Sequence, residues 1–190
     1  LNALNPKAIN TIYKWQAEIG ATLFYSGFIE EGGQLLQNTY LNAFNSGEVG
    51  PYVKTTVGSY YADYLKYVGN FDLAVQVVDK TLPFSQRLIA KYLYASLLQK
   101  KSDVLVAVGN NNENIATATK LLQVAKTMKD TYFEAQALNS LGASYLVSTD
   151  PADRNRARQY LIQANTITDR DGYAYLAEIV KGNLAISYWQ

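Results

Sequence analysis

Apolar residues along this chain recur in steps of three and four, with polar residues between them. That period lays them on one face of a helix. Five segments share one local pattern, in which a large apolar residue and a small residue are followed three positions on by another large one. They are Ile19-Gly20 with Leu23, Tyr61-Ala62 with Leu65, Tyr94-Ala95 with Leu98, Leu141-Gly142 with Tyr145, and Leu184-Ala185 with Tyr188. Four segments between them share a second pattern of small, bulky and small residues: Gly32, Leu36, Thr39; Ala74, Val78, Thr81; Ala118, Leu122, Ala125; and Ala157, Leu161, Ala164. The two patterns alternate strictly. A small residue lets the bulky side chain of a crossing helix enter, so the alternation predicts helical hairpins.

The turn residues agree. Gly69-Asn70-Phe71-Asp72 combines a glycine that stops one helix with a residue that caps the next, and Ser26-Gly27-Phe28 holds the equivalent place earlier. Ser148-Thr149-Asp150-Pro151 reads as a helix entry with a first-turn proline. Gly109 to Asn114 is a polar break, with Asn114 the expected cap of the helix through Met128. Asn45 to Thr55, with Gly50-Pro51, is the expected loop between the first two hairpins. The predicted hairpins are 11–44, 52–82, 84–128, 132–168 and an incomplete 172–190, with Phe84–Val108 as the longest first helix. From small residue to small residue the repeat is uneven, about 42, 33, 47 and 43 residues. No linker is long enough to divide the chain, so residues 1–190 read as one domain.

Composition narrows the chemistry. The 190 residues contain no cysteine and no histidine. This excludes disulfides, thiolate and imidazole metal sites and the Ser-His-Asp triad, and leaves Asp, Glu, Lys, Tyr and Ser for any catalysis. The net charge of +1, without a run of Lys and Arg, argues against nucleic acid or an anionic membrane as partner. No stretch approaches the roughly 18 apolar residues of a membrane span. Leu1 to Asn10 lack the apolar core of a signal peptide. The chain starts at Leu and runs out inside the apolar pattern Ile186 to Gln190, so a piece of a longer protein is expected. Low charge (17%), 16 tyrosines and the absence of cysteine lean toward an extracytoplasmic setting.

Tyr61-Ala62, Leu65, Gly69-Asn70-Phe71 and Ala74, with Leu141-Gly142, Tyr145, Ala157, Leu161 and Ala164, resemble a tetratricopeptide repeat array over nearly the whole chain, Thr11 to Gln190. The resemblance implies an all-α fold, a right-handed α-α superhelix of about four and a half antiparallel hairpins. The repeats run longer than the family period of about 34 residues. The early tryptophan of the first helix is missing, and the repeat-closing proline appears once, as Pro83. In these features the chain is more similar to the long, irregular repeats of bacterial signalling and regulatory proteins than to chaperone adaptors.

The resemblance further implies a groove lined by first helices that binds an extended peptide or a partner helix. Carried onto this sequence, the groove positions are Lys14, Phe24, Ser59, Asp63, Lys66, Tyr92, Ser96, Gln99, Gln136 and Asn139, with Ala17, Ala21, Thr56, Ile89, Ala143 and Leu146 among them. Such a surface suits hydrogen bonds to a peptide backbone together with aromatic contact. It lacks the basic and asparagine cluster with which chaperone-binding members grip a C-terminal carboxylate.

Other motifs yield to plainer readings. Tyr61, Tyr94, Tyr145 and Tyr188 hold packing positions and are expected in the core. Tyr60-Tyr61 and the pair Tyr173 and Tyr175 face more than one side of a helix, so some tyrosine is exposed. Asp169-Arg170-Asp171-Gly172 with Glu178 matches part of a calcium loop, but Ile167 stands at the first ligand place, and an inter-repeat turn is the better reading. Glu30-Glu31-Gly32-Gly33 lacks phosphate-loop spacing and fits an acidic first turn. The function expected is a protein- or peptide-binding scaffold, a sensor, adaptor or regulatory segment without cofactor or metal. Self-association through an open C-terminal helix is the alternative, and a hairpin enzyme using Asp, Glu or Lys the remote one.

Overall fold

The computed structural model describes residues 5–189. Residues 1–4 and 190 lie outside them, and so do the ends of the segments Leu1–Asn10 and Ile186–Gln190 read above. The described residues form nine helices: α1 (Pro6–Tyr25), α2 (Ile29–Asn45), α3 (Pro51–Tyr67), α4 (Phe71–Gln86), α5 (Lys91–Ala107), α6 (Asn111–Met128), α7 (Thr131–Leu146), α8 (Pro151–Asp171) and α9 (Ala174–Trp189). The chain packs as two compact units, one ending at Leu97 and the other beginning at Leu98.

The turns follow from local chemistry. Gly69 and Gly109 take φ values of 78° and 71°, and the asparagine after each caps the next helix through its side chain, onto Leu73 N and Glu113 N. Asp130 and Asp150 do the same for α7 and α8, and Pro151 sits in the first turn of α8. The expected cap at Asn114 is therefore corrected to Asn110. Pro51 opens α3, so the loop after α2 is only residues 46–50. Asn10 of α1 fastens that loop, donating to Glu48 O and accepting from Gly50 N.

In the first unit α1 pairs with α2, α3 pairs with α4, and α3 also packs on α1 and α2. A Cβ on Gly20 would lie 3.0 Å from Leu36 Cγ, so the glycine admits that leucine into the α1–α2 crossing. Phe24, Tyr40, Tyr61 and Leu65 are buried here. Tyr40 packs on Phe44 at 4.2 Å and on Tyr61 at 5.2 Å between ring centres. Lys54 is buried with its ammonium 5.0 Å from the centre of the Phe84 ring and 5.9 Å from that of Phe44.

The longest-first-helix expectation for Phe84–Val108 does not hold. Proline removes a helical hydrogen bond and crowds the carbonyl four residues back, so Pro83 should end α4. Packing carries the helix one turn further. Phe84 meets Phe44 edge-on at 5.5 Å, and Ser85 is buried with its hydroxyl donating to Leu82 O. The chain turns only after Gln86, and Lys91 at the start of α5 donates to Gln86 O and Leu88 O.

In the second unit α6 packs on α7, α7 on α8, and α9 on both α7 and α8. Gly142 repeats the logic of Gly20: a Cβ there would lie 2.5 Å from Leu161 Cγ. Asn114 is fully buried in this unit. It accepts from the Ser102 hydroxyl at 2.6 Å and donates to Ser144 Oγ at 2.7 Å and Ser140 O at 3.3 Å. The Asp169-Arg170-Asp171 segment is the last turn of α8, closed by Gly172 at φ 75°.

Candidate partner-binding surface

In the first unit the exposed faces of α1 and α3 meet around Phe24. Its ring is buried, packed against Tyr25 at 4.8 Å and edge-on to Tyr67 at 5.1 Å and Tyr64 at 5.9 Å. Phe24 is thus a floor rather than the groove-facing side chain expected, because α3 lies directly on α1. Tyr25 and Tyr67 rise beside it and are exposed. The Tyr25 hydroxyl donates to Asp63 Oδ2 at 3.1 Å. Desolvation of the hydroxyl end of this otherwise exposed side chain, and then Asp63, push that hydroxyl above the usual tyrosine range. Ser59, Asp63 and Lys66 are half-buried along α3. Lys14 pairs with Glu18 one turn on, at 3.5 Å. Tyr92, on α5, is 58% exposed, and Ser96 is half-buried.

Ala17 and Ala21 are core residues, and Ile89 lies in the turn before α5 rather than on a helix. Sequence reasoning missed Tyr25 and Tyr67. The available signal was Phe24-Tyr25 itself, since two adjacent rings on a helix cannot both face the core.

In the second unit Gln99 and Gln136 are half-buried, and Gln136 donates to the Tyr132 hydroxyl at 3.0 Å. Asn139 is buried, because α9 covers it and Asn183 donates to its side-chain oxygen at 2.9 Å. Leu146 is buried as well. Of the four tyrosines expected in the core, Tyr61 and Tyr94 are buried and Tyr145 is half-buried, stacked on Tyr160 at 6.0 Å. Tyr188 departs from the expectation at 62% exposed. The Arg158 guanidinium lies over its ring at 4.8 Å.

Two carboxylates here are paired with cations at the surface. Lys181 holds the Asp169 carboxyl below its ordinary range, and Arg170, then Thr131, bring Asp171 down to about 2. Among the described residues no cluster of His, Cys, Asp or Glu could hold a metal ion. No helix among them is long and apolar enough to cross a membrane.

Two solved structures share this architecture over nearly the full chain. One is a signal transduction ATPase with numerous domains, a protein of Pyrococcus horikoshii with a tetratricopeptide repeat sensor. It superposes with a TM-score of 0.77 at 17% identity, covering 98% of this chain and 28% of that one. The fold is tetratricopeptide-repeat-like. The second structure, a Podosopora anserina protein named as a kinesin light chain with nearly identical TPR-like repeats, agrees: its TM-score is 0.71 at 13% identity, covering 98% of this chain and 88% of that one. No protein-family model and no curated protein sequence matches this TPR-like chain.

Proposed function

We propose that the chain is a non-catalytic scaffold that binds a protein or peptide through the exposed first-helix face of its first unit. The observation that carries this reading is the tyrosine pair Tyr25 and Tyr67 standing over buried Phe24, beside Asp63 and Lys66. Exposed tyrosines on a rigid floor lose little freedom on binding and commonly dominate interface energies. The fold supports a repeat scaffold, and the Pyrococcus horikoshii neighbour, whose repeats form a sensor, supports a sensor or adaptor segment within a larger protein.

The test uses the chain as bait in a native lysate, beside a Tyr25→Ala/Tyr67→Ala double variant of unchanged helicity. The expected result is a bound protein whose affinity falls at least about tenfold in the variant, as for loss of an aromatic anchor. A partner retained equally by both would place the binding surface elsewhere.

A further inference from the structure

The charges of the first unit are sorted by end. The turns that close its two hairpins, residues 25–31 and 63–72, carry Glu30, Glu31, Asp63 and Asp72 against Lys66. The opposite end, residues 5–10, 45–54 and 84–91, carries Lys7, Lys54, Arg87 and Lys91 against Glu48. The two excesses cancel, so the net charge hides the separation. At the hairpin turns the C-termini of α1 and α3 meet the N-termini of α2 and α4, so the helix dipoles offset one another and the carboxylates set the sign. Glu30, Glu31 and Asp72 are exposed, and among the described residues they enter no ion pair and no side-chain hydrogen bond.

The acidic end is also the aromatic end. Tyr25 is 64% exposed, Tyr67 66% and Phe28 55%. Tyr67 belongs to α3, an internal helix on which α1, α2 and α4 all pack, and its ring stays open with every described residue in place. Tyr25 and Tyr67 flank one buried ring, Phe24, at 4.8 and 5.1 Å, and the Tyr25 hydroxyl reaches Asp63. The face of an aromatic ring attracts a cation. A guanidinium suits such a place better than an ammonium, because it stacks flat on a ring and forks onto a carboxylate.

We propose that this end of the first unit recognises a basic, arginine-bearing segment of a partner protein. The inference rests on the partner-binding face proposed above and names the chemistry of what it binds. One guanidinium lies on the Tyr25 and Tyr67 rings beside the Asp63 carboxylate, and a second cation faces the carboxylates of α2 or α4. Packed helices lie about 8–10 Å apart. An extended chain covers that distance in about three residues, so two basic residues three apart reach both places. The sorted charge gives the encounter its direction and makes it sensitive to salt.

The experiment is fluorescence anisotropy of a labelled peptide of four Arg-Ser-Gly repeats, with its lysine and glutamate counterparts, against the wild-type chain. The arginine peptide is expected to bind saturably with a Kd below about 100 μM, the lysine peptide several-fold more weakly and the glutamate peptide not at all. Raising salt from about 50 to 500 mM should weaken the binding at least about tenfold. Tyr25→Ala/Tyr67→Ala and Glu30→Gln/Glu31→Gln/Asp72→Asn should each weaken it at least about tenfold as well, and the second should also flatten the salt dependence. Glu18→Gln/Glu48→Gln/Glu178→Gln removes the same charge elsewhere and should bind like the wild type. An arginine peptide that does not bind, or that binds the two charge-neutralised variants alike, overturns the proposal. A lysate partner lost with the two tyrosines but held in full by Glu30→Gln/Glu31→Gln/Asp72→Asn overturns it too, and leaves the binding face itself standing.

Discussion

Phe28 stands where the other turns of this type use asparagine. Its backbone, at φ −83° and ψ 69°, matches Asn70 at −84° and 68° and Asn110 at −82° and 70°, and Gly27 before it takes a positive φ as Gly69 and Gly109 do. The turn is therefore the same, but α2 begins with no side-chain cap. Phe28→Asn is expected to stabilise the chain by about 1 kcal/mol, the usual worth of an N-cap. Thermal unfolding followed by circular dichroism should show a rise of roughly 2–4 °C for a chain of this size. An unchanged midpoint would mean that the exposed Phe28 ring contributes as much through packing as the cap would. At this scale the sequence was readable wherever one residue type meets one backbone demand, as at Gly69, Gly109 and Gly172. It misled at Asn114, because a polar residue after a glycine looks like a cap until its burial is known.

Among the elements, α2 and α4 show packing prevailing over local preference. Pro83 was read as the end of a repeat, yet Phe84, held by Phe44 and Lys54, extends α4 to Gln86. The aromatic seam responsible has one flaw. Tyr40 is buried, and its hydroxyl has no hydrogen-bond partner. Burial, then the neighbouring Tyr61, push this hydroxyl up to about 12 from an ordinary value of 10.0. A pKa raised in the fold means that the unfolded chain loses its proton first as pH rises. Stability is therefore independent of this titration below pH 10 and falls progressively between about pH 10 and 12. Tyr40→Phe removes both the orphaned hydroxyl and the titration. The variant is expected to be more stable at pH 7 by about 1 kcal/mol or more. Its urea midpoint should also fall less steeply than the wild type's above pH 10. Equal slopes in the two proteins would assign the alkaline loss to other tyrosines.

For the whole molecule, the hairpin order was legible because the alternation of small and bulky residues records helix crossings directly: Gly20 meets Leu36 and Gly142 meets Leu161. The exposed surface was less legible. Periodicity tells which way a residue points but not whether a neighbouring helix lies there, and so Phe24 and Asn139 were read as groove residues while α3 and α9 cover them. The division into two compact units left no mark either, since no composition shift or linker accompanies it at Leu97. Its energetic consequence can be tested through Asn114. Asn114→Ala leaves the Ser102 and Ser144 hydroxyls buried without this partner, at a cost of roughly 1–3 kcal/mol each. Repeat folds lose stability close to the site of damage, because each element leans only on its neighbours. Hydrogen exchange should accordingly speed up at least about tenfold in the amides of α6, α7 and α8, while those of α1 to α4 keep their protection. Uniform acceleration along the chain would show instead that the two units unfold as one, and that the buried asparagine stabilises the entire array.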